Sequence, residues 1–241
     1  REPSKEVKVA MVGKYAASGD FQFTDSYISV NQSLAHAGVA WATRVDITWI
    51  DGHEFECGEK SLEGLDEYDG IIVPGAFGRG GGEGVIKAIR YARERDIPYL
   101  GLCYGLQLAV VEYARNVAGI EKATSEEFDE DSEWKVICVQ ETQKNVLEEK
   151  RYGGSMRLGA YAAVLKKDSR VLELYEESGR LNEDARRIEQ LMANPKQAFR
   201  VGMVMLERDK VVLERHRHRY EVSARFLEVL EDEGLVFSGY H

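Results

Sequence analysis

One cysteine in this sequence lies in the spacing expected of a catalytic nucleophile. The apolar run from Tyr99 to Gln107 places Cys103 between Gly101 and Gly105 and continues into helix-forming residues. A strand that turns sharply into a helix projects the side chain at the turn, and it needs small residues on both sides. The partial positive charge of the helix N-terminus is expected to favour the thiolate. A cysteine in an apolar run can also be a small core residue, but the matched glycines favour a nucleophile.

A glycine-rich run, Gly78 to Gly84, is a second candidate for binding a ligand. Backbone amides in glycine turns can hold an anion. The run lacks the Gly-Lys-Ser/Thr ending of a nucleotide-binding loop, and it lacks the spacing of a dinucleotide motif after a strand. We therefore expect a flexible wall around Cys103 rather than a nucleotide site.

A third candidate is the cationic run from Glu214 to Glu221, in which His216 and His218 alternate with arginines. Alternate residues of a strand point to the same face, so the two imidazoles could share a metal. The three flanking arginines would repel a cation unless carboxylates compensated. So dense a cationic cluster in an acidic protein instead indicates acidic partners or a bound carboxylate.

The elements around these candidates alternate between strands and helices in the first half of the chain. Strands are expected at residues 7–12, 41–50, 70–75 and before Cys103, with an irregular acidic stretch through Asp66. Helices are expected where apolar residues recur at helical spacing, from Tyr27 to Ala37, from Val85 to Ala92 and after Cys103. This alternation predicts a doubly wound, mostly parallel α/β sheet with flanking helices and with sites at the carboxyl ends of its strands.

The second half has a looser pattern. Strands are expected at residues 136–139 and 161–165, a helix from Leu181 to Leu191, a hairpin at residues 200–206 and 211–213, and a helix capped by Ser223. These elements predict antiparallel strands added, in the second half of the chain, to the mostly parallel sheet. No Pro/Ser-rich linker interrupts the chain, so we expect one domain over residues 1–241.

Composition narrows the class of protein. A chain of 241 residues with 44% hydrophobic residues can bury a full core, and a net charge of −10 argues against a nucleic-acid partner. The cysteines Cys57, Cys103 and Cys138 are few and widely spaced, which is typical of a reducing compartment. No apolar stretch approaches the ~20 residues of a membrane span, and no signal peptide is visible. We expect a cytoplasmic protein, and the absence of an initial methionine suggests a piece of a longer polypeptide.

Seven blocks of the sequence resemble the glutaminase domain of CTP synthase, a class I glutamine amidotransferase, and they occur in the order seen in that family. They are residues 12–15, 74–78, 99–107, 114–117, 125–128, 153–159 and 214–222. Other class I amidotransferases share the cysteine turn alone. The Met-Arg-Leu-Gly block that ends at Gly159 and the Arg-His-Arg-His-Arg-Tyr-Glu-Val block that ends at Val222 resemble CTP synthase specifically.

The resemblance implies a reaction and a set of site residues. Cys103 would attack the side-chain amide of L-glutamine, expel ammonia and form a thioester that water hydrolyses. The backbone N–H groups of Ala76 and Tyr104 would hold the oxyanion. Three side chains would bind the amino-acid end of glutamine, namely Gln107, Glu127 and Arg219. A guanidinium can pair with the α-carboxylate, and a carboxylate can accept from the ammonium.

The same resemblance implies partners for the domain. Ammonia would pass to a synthetase domain of the same polypeptide, which would use ATP, UTP and magnesium to convert UTP to CTP. No cofactor or metal is expected in the glutaminase domain itself. A homo-oligomer is expected for the full-length protein, without a nucleic-acid or membrane partner.

The sequence also departs from the family pattern. Ala76 replaces a glycine and would be strained at positive φ, the arginine expected at position 80 is Gly80, and residues 167–200 form a longer segment. The His-Pro-Glu block that supplies the general base is expected beyond residue 241, and neither His216 nor His218 belongs to it. Two alternatives therefore stay open: a glutamine-binding regulatory module without turnover, and a cysteine hydrolase with another substrate.

Overall fold

The computed structural model of the protein describes residues 3–14, 27–139, 157–194, 196, 201 and 210–240, with the backbone alone at 17–18 and 21–22 and without the side chains of 157 and 158. Residues 153–156, at the start of the block that ends at Gly159, and most of the predicted hairpin arm at 200–206 lie outside this range. The chain divides into two compact units, Arg1–Gln140 with Tyr220–Glu233, and Glu141–Arg219 with Gly234–His241. The prediction of one domain over residues 1–241 stays a prediction.

The described elements follow one another along both units. The strands are β1 (Lys5–Gly13), β2 (Ala17–Ser18), β3 (Phe21–Gln22), β4 (Thr43–Asp51), β5 (Gly70–Val73), β6 (Tyr99–Gly101), β7 (Thr124–Ser125), β8 (Lys135–Val139), β9 (Arg157–Leu165), β10 (Lys210–His218), β11 (Tyr220–Val222) and β12 (Gly239–Tyr240). The α-helices are α1 (Ile28–Ala40), α2 (Gly52–Cys57), α3 (Gly82–Glu94), α4 (Tyr104–Asn116), α5 (Arg170–Glu177), α6 (Arg180–Met192) and α7 (Leu227–Asp232). Two 3₁₀ helices lie at Leu62–Glu67 and Ala224–Phe226.

The main sheet of the first unit has four strands in the order β4-β1-β5-β6, and all of its pairs are parallel. The chain runs from β1 to β4 on one side and then returns to β5 on the other. This reversal makes the carboxyl ends of β1 and β5 the topological switch point, where doubly wound sheets bind their ligands. The predicted parallel, doubly wound architecture is confirmed.

The middle of this sheet is buried on both faces. Val9 and Met11 of β1 form an apolar cluster against which Val30 and Leu34 of α1 pack. The alternate residues of β1 are also inaccessible, since Ala10 and Val12 are fully buried. A strand covered on both faces needs a continuous apolar run, and this requirement explains the run that the sequence shows at the carboxyl end of β1.

The stretch between β4 and β5 is helical, so its prediction as irregular was wrong. Asp51 caps α2 by accepting a hydrogen bond from the His53 backbone N–H at 2.8 Å, and Gly58 ends the helix with a left-handed conformation. Ser61 caps the following 3₁₀ helix in the same way. Both helices are six residues long, too short to show an apolar period, and their signal lies in the caps.

Two ion pairs fix α3 against α4. Arg93 donates to both carboxylate oxygens of the buried Glu112, and Arg115 donates to the Glu83 carboxylate at 2.7 and 3.2 Å. Hydrogen bonding to Glu112 raises the pKa of Arg93. Paired charges of this kind lose much of their stabilising effect if one partner is removed, because the other stays desolvated. The first turn of α3 therefore holds a fixed position relative to the helix that begins after Cys103.

The second unit is an antiparallel sheet with helices. Its three strands run in the order β10-β9-β12, which confirms the predicted antiparallel additions. Ile188 of α6 lies in an apolar cluster with Ala162, Val211 and Leu213. The fully buried Asp184 accepts the Leu213 N–H at 2.9 Å and lies within ion-pair distance of the Arg180 guanidinium. The helix predicted from Leu181 to Leu191 is α6.

Two glycines allow the chain to turn from β6 into α4. A Cβ at Gly105 would lie 2.2 Å from the Val73 carbonyl oxygen of β5, and a Cβ at Gly101 would lie 2.5 Å from the Gly105 carbonyl carbon. Both contacts are with backbone, which cannot move aside as a side chain can. The glycines of the predicted nucleophile turn are thus required by the close approach of backbone segments.

Gly105→Ala should destabilise the protein through this contact. Overpacking of a rigid site typically costs about 1 to 3 kcal/mol, which exceeds the gain of roughly 1 kcal/mol that alanine brings to a helix interior. Gly64→Ala is the matched control, since a Cβ there meets nothing within 4 Å. Urea unfolding should show a lower midpoint for Gly105→Ala alone. Equal midpoints for the two variants would contradict the backbone contact.

Candidate active site

The structure places Cys103 at a strained turn between β6 and α4. Its backbone has φ 55° and ψ −99°, and it occupies the N-cap position of α4 without making a side-chain cap. A non-glycine residue at positive φ is uncommon, and such strain tends to occur at functional sites. A Cβ at Gly75 would lie 3.6 Å from the Cys103 Cβ, so the segment after β5 passes directly beside the thiol. This is the sharp strand-to-helix turn that the sequence predicted around Cys103.

The predicted ease of forming a thiolate is wrong for this structure. Burial raises the pKa of Cys103, and the carboxylate of Glu127 adds to that rise. A backbone hydrogen bond from Tyr104 lowers the pKa but does not compensate for the loss of water. The position at a helix N-terminus is present, yet desolvation of the anion outweighs it. Cys103 therefore needs a proton acceptor to react near neutral pH.

The segment after β5 carries the predicted oxyanion donor, Ala76. This residue is 6% exposed, and among the described non-glycine residues it is not one of those with positive φ. Replacing glycine with alanine here therefore introduces no backbone strain, which resolves the concern raised by the sequence. Gly78, two residues on, has φ 83° and is the position in this segment where a side chain would be disfavoured.

Gly78 is held from three directions. Its carbonyl oxygen accepts hydrogen bonds from the Lys14 ammonium and, at 3.1 Å, from the Tyr104 hydroxyl. Its N–H donates to Glu127 Oε1 at 2.8 Å. Lys14 also donates to the Phe77 carbonyl at 2.8 Å. The two peptide groups on either side of Gly78 are thus fixed by a cation, a hydroxyl and a carboxylate, and one peptide group separates them from the predicted oxyanion donor.

The predicted ammonium ligand, Glu127, reaches this segment from a turn after β7. The Ser125 side chain accepts the Glu127 N–H at 3.2 Å, and the Ser125 carbonyl accepts the Phe128 N–H at 2.9 Å. Phe128 packs against Tyr104 with ring centroids 6.3 Å apart. The N–H of Gly78 uses one of the two carboxylate oxygens of Glu127.

The remaining predicted ligands lie in different parts of the chain. Gln107 is buried in the first turn of α4, where its Nε2 donates to the Tyr220 carbonyl at 2.9 Å. Arg219 belongs to the second unit. The structure brings Tyr104 and Glu127 together at Gly78. The roles in the reaction stay predictions for all six site residues, namely Cys103, Ala76, Tyr104, Gln107, Glu127 and Arg219.

The glycine-rich run serves packing as well as turning. Its last three residues begin α3, so it is not a loop throughout. A Cβ at Gly84 would lie 1.9 Å from the Gly52 carbonyl oxygen of α2, and a Cβ at Gly82 would lie 2.6 Å from the Phe128 ring. These glycines allow α2 and the Phe128 turn to approach α3 closely.

The cationic run forms the end of β10 and the start of β11. The rings of His216 and His218 have centroids 4.9 Å apart, and Tyr161 meets His216 edge-on. Among the described residues no group of three His, Cys, Asp or Glu side chains could hold a metal ion.

No helix in the described ranges is long and apolar enough to cross a membrane.

Sequence reasoning missed Lys14 as a site residue. It follows β1 directly, at the switch point of the sheet, and burial lowers its pKa against the opposing effects of Glu127, Glu56 and Asp51. A lysine immediately after a strand that ends in glycine was the available signal. Its partners lie 63 and 64 residues away in the sequence, so no local pattern could identify them.

Comparison with known proteins gives consistent results. The family described as glutamine amidotransferase class-I matches residues 22–241. The CTP synthase of Methanopyrus kandleri is 40% identical over 240 residues, which is 99% of this chain and 38% of the relative. The CTP synthase of Methanocaldococcus jannaschii is 42% identical over 243 residues, which is 98% of this chain and 37% of the relative. The chain thus spans less than two fifths of the length of these relatives.

A solved structure is similar over nearly the whole chain. It is the glutaminase domain of the Trypanosoma brucei CTP synthase with bound acivicin, which is 33% identical in sequence and has a TM-score of 0.74. The match covers 97% of this chain and 74% of that one. The similarity extends through both units, as the coverage requires.

The raised pKa of Cys103 predicts how its reactivity depends on pH. Below its pKa the thiolate fraction rises about tenfold per pH unit, so alkylation of Cys103 by iodoacetamide should still be accelerating at about pH 9. Peptide mass spectrometry of samples labelled at successive pH values measures this rate, with Cys103→Ser identifying the peptide. A plateau reached near neutral pH would show that the thiolate is already stable there and would contradict the effect of burial.

Proposed function

Because the chain belongs to the class I glutamine amidotransferase family, we propose that it hydrolyses the side-chain amide of L-glutamine through a thioester on Cys103. The observation that carries this proposal is the strained Cys103 turn lying beside Gly75, the residue before the proposed oxyanion donor Ala76. A nucleophile and a hydrogen-bond donor set side by side in this way match acyl transfer, in which attack on a carbonyl creates an oxyanion.

The first step is attack of the Cys103 sulfur on the γ-carbonyl of glutamine. Burial and the nearby Glu127 carboxylate favour the neutral thiol, so a general base takes the proton as the bond forms. The backbone N–H of Tyr104, which now stabilises the sulfur, and that of Ala76 donate to the developing oxyanion. The base then gives this proton to the amide nitrogen, so that collapse of the tetrahedral intermediate breaks the C–N bond and releases ammonia. Water then hydrolyses the thioester, which regenerates the thiol and releases glutamate.

The amino-acid end of glutamine is bound by charged groups. Glu127 accepts from the α-ammonium through the oxygen that does not hold Gly78, and the resemblance assigns the α-carboxylate to Arg219. Gln107 supports the same end from the first turn of α4. Recognition of the ammonium and fixing of the oxyanion segment therefore share a single carboxylate, which ties specificity to catalysis.

The relatives of this chain suggest its wider context. Proteins of which it matches less than two fifths are named CTP synthase. We propose that ammonia produced here is used by a synthetase domain of the same polypeptide, which aminates ATP-activated UTP with magnesium, in a cytoplasmic homo-oligomer. This part of the proposal rests on the relatives' name, whereas the glutaminase chemistry rests also on the geometry around Cys103.

A glutamine-mimicking electrophile should label Cys103 in preference to Cys57 and Cys138. Cys103 combines the nucleophile turn with the proposed glutamine pocket, so the reagent is delivered to that sulfur. Peptide mass spectrometry after partial labelling gives the rate at each cysteine, and excess L-glutamine should protect Cys103 alone. Equal labelling of all three would remove the proposed pocket. Continuous ammonia release would distinguish an amidotransferase from a glutamine-binding module that lacks turnover.

Glu127→Gln should weaken glutamine binding while leaving the oxyanion segment in place. The amide oxygen can still accept the Gly78 N–H, but the charge that binds the ammonium is lost, and a charge-assisted hydrogen bond contributes about 1.5 to 3 kcal/mol. Glutamine protection of Cys103 should therefore need roughly 10- to 150-fold more glutamine.

Glu126→Gln is the matched control for this measurement. The Glu126 carboxylate accepts the Val139 N–H at 2.7 Å and has a structural role in the same turn. Its substitution should leave the protecting concentration of glutamine within about twofold. If Glu127→Gln behaves like this control, the ammonium is bound elsewhere.

A further inference from the structure

We propose that Lys14 is a positioning residue for this reaction, because its ammonium holds the Phe77 and Gly78 carbonyls and thereby limits the movement of the backbone before them, which carries the Ala76 N–H. The inference rests on the proposed function and adds a residue to it. Lys14 is not proposed to touch the reacting atoms. It acts through the peptide groups that follow the oxyanion donor.

The contacts of Lys14 support this role. Its Nζ donates to two consecutive carbonyls, that of Phe77 at 2.8 Å and that of Gly78. The ammonium also lies 5.3 Å from the centroid of the Tyr104 ring, a distance typical of a cation–π contact. Two carbonyls held by one ammonium have their peptide planes fixed relative to each other, and this constrains the backbone on either side.

The location of Lys14 explains why one side chain can do this. It follows β1, whereas Phe77 and Gly78 follow β5, and these two strands are paired at the switch point of the sheet. A rigid strand end thus anchors a segment with no regular secondary structure. Sites supported from strands and helices are more precise than those supported by loops alone.

The charges around Lys14 keep it in place. Burial lowers its pKa, and the carboxylates of Glu127, Glu56 and Asp51 oppose that effect. Glu127 in turn accepts the Gly78 N–H, so a cation and an anion hold opposite sides of the same peptide segment. Removing the cation would leave the carbonyls of Phe77 and Gly78 without this donor, and the segment could rotate.

The test separates oxyanion positioning from general damage. A γ-glutamyl anilide forms an oxyanion when Cys103 attacks it, whereas iodoacetamide reacts at the same sulfur without one. In the protein carrying Lys14→Met, the single-turnover release of aniline should fall about tenfold to a hundredfold, as expected for a misplaced catalytic donor. The rate of iodoacetamide labelling at Cys103 should change by less than about twofold.

Lys87→Met is the matched control. The Lys87 ammonium also donates to two consecutive carbonyls, those of Phe55 at 3.3 Å and Glu56 at 3.4 Å, but these belong to α2. Its substitution should leave both rates near those of the unchanged protein. If Lys14→Met does not fold, Lys14→Gln keeps a polar side chain that is too short to reach both carbonyls, and it should lower the aniline rate in the same way.

Each outcome bears on a different claim. If the full-length protein, which would include the general base expected beyond residue 241, shows no Cys103-dependent aniline release, the proposed glutaminase function is wrong. If it does, and a folded Lys14 variant stays within about twofold of it, the positioning role is wrong while the function stands. An equal fall in the anilide and iodoacetamide rates would also overturn the role, since Lys14 would then act on the sulfur or on the fold.

Discussion

The backbone at Cys103 is the constraint on which the rest of the first unit depends. A residue at φ 55° between a strand and a helix projects its side chain from the edge of the sheet. Such a sparsely populated conformation costs on the order of 1 to 3 kcal/mol for a residue with a Cβ, so the surrounding packing must enforce it. Gly101 and Gly105 let the backbone of β5 and α4 close around the turn, and the ion pairs between α3 and α4 hold that packing.

Cys103 and the segment from Ala76 to Gly78 are held in place by different physical means. Packing and strain position Cys103, whereas hydrogen bonds and charge position Ala76 to Gly78. The segment after β5 has no ladder of its own, and it therefore takes its order from Lys14, Tyr104 and Glu127. A site divided in this way can lose activity through a change that leaves the fold intact, because the polar contacts contribute to geometry more than to the core.

The sequence predicted the elements with a clear period and missed those without one. The run into Cys103, its flanking glycines and the helices α3 and α6 were all visible as spacing. The short helix α2 was missed because its signal is a single cap at Asp51. The pKa of Cys103 was predicted in the wrong direction because burial belongs to the fold and not to the local run. Lys14 was missed because its partners come from a distant strand end.

The positive φ of Cys103 also bears on which replacements leave the turn unchanged. Glycine adopts that conformation without strain, whereas any residue with a Cβ keeps the strain. Cys103→Gly would relieve strain in the folded chain and give the unfolded chain more freedom, and these two effects on stability oppose each other. Cys103→Ser and Cys103→Ala keep the strained backbone, so they remove the thiol without changing the demand that the turn makes on its surroundings.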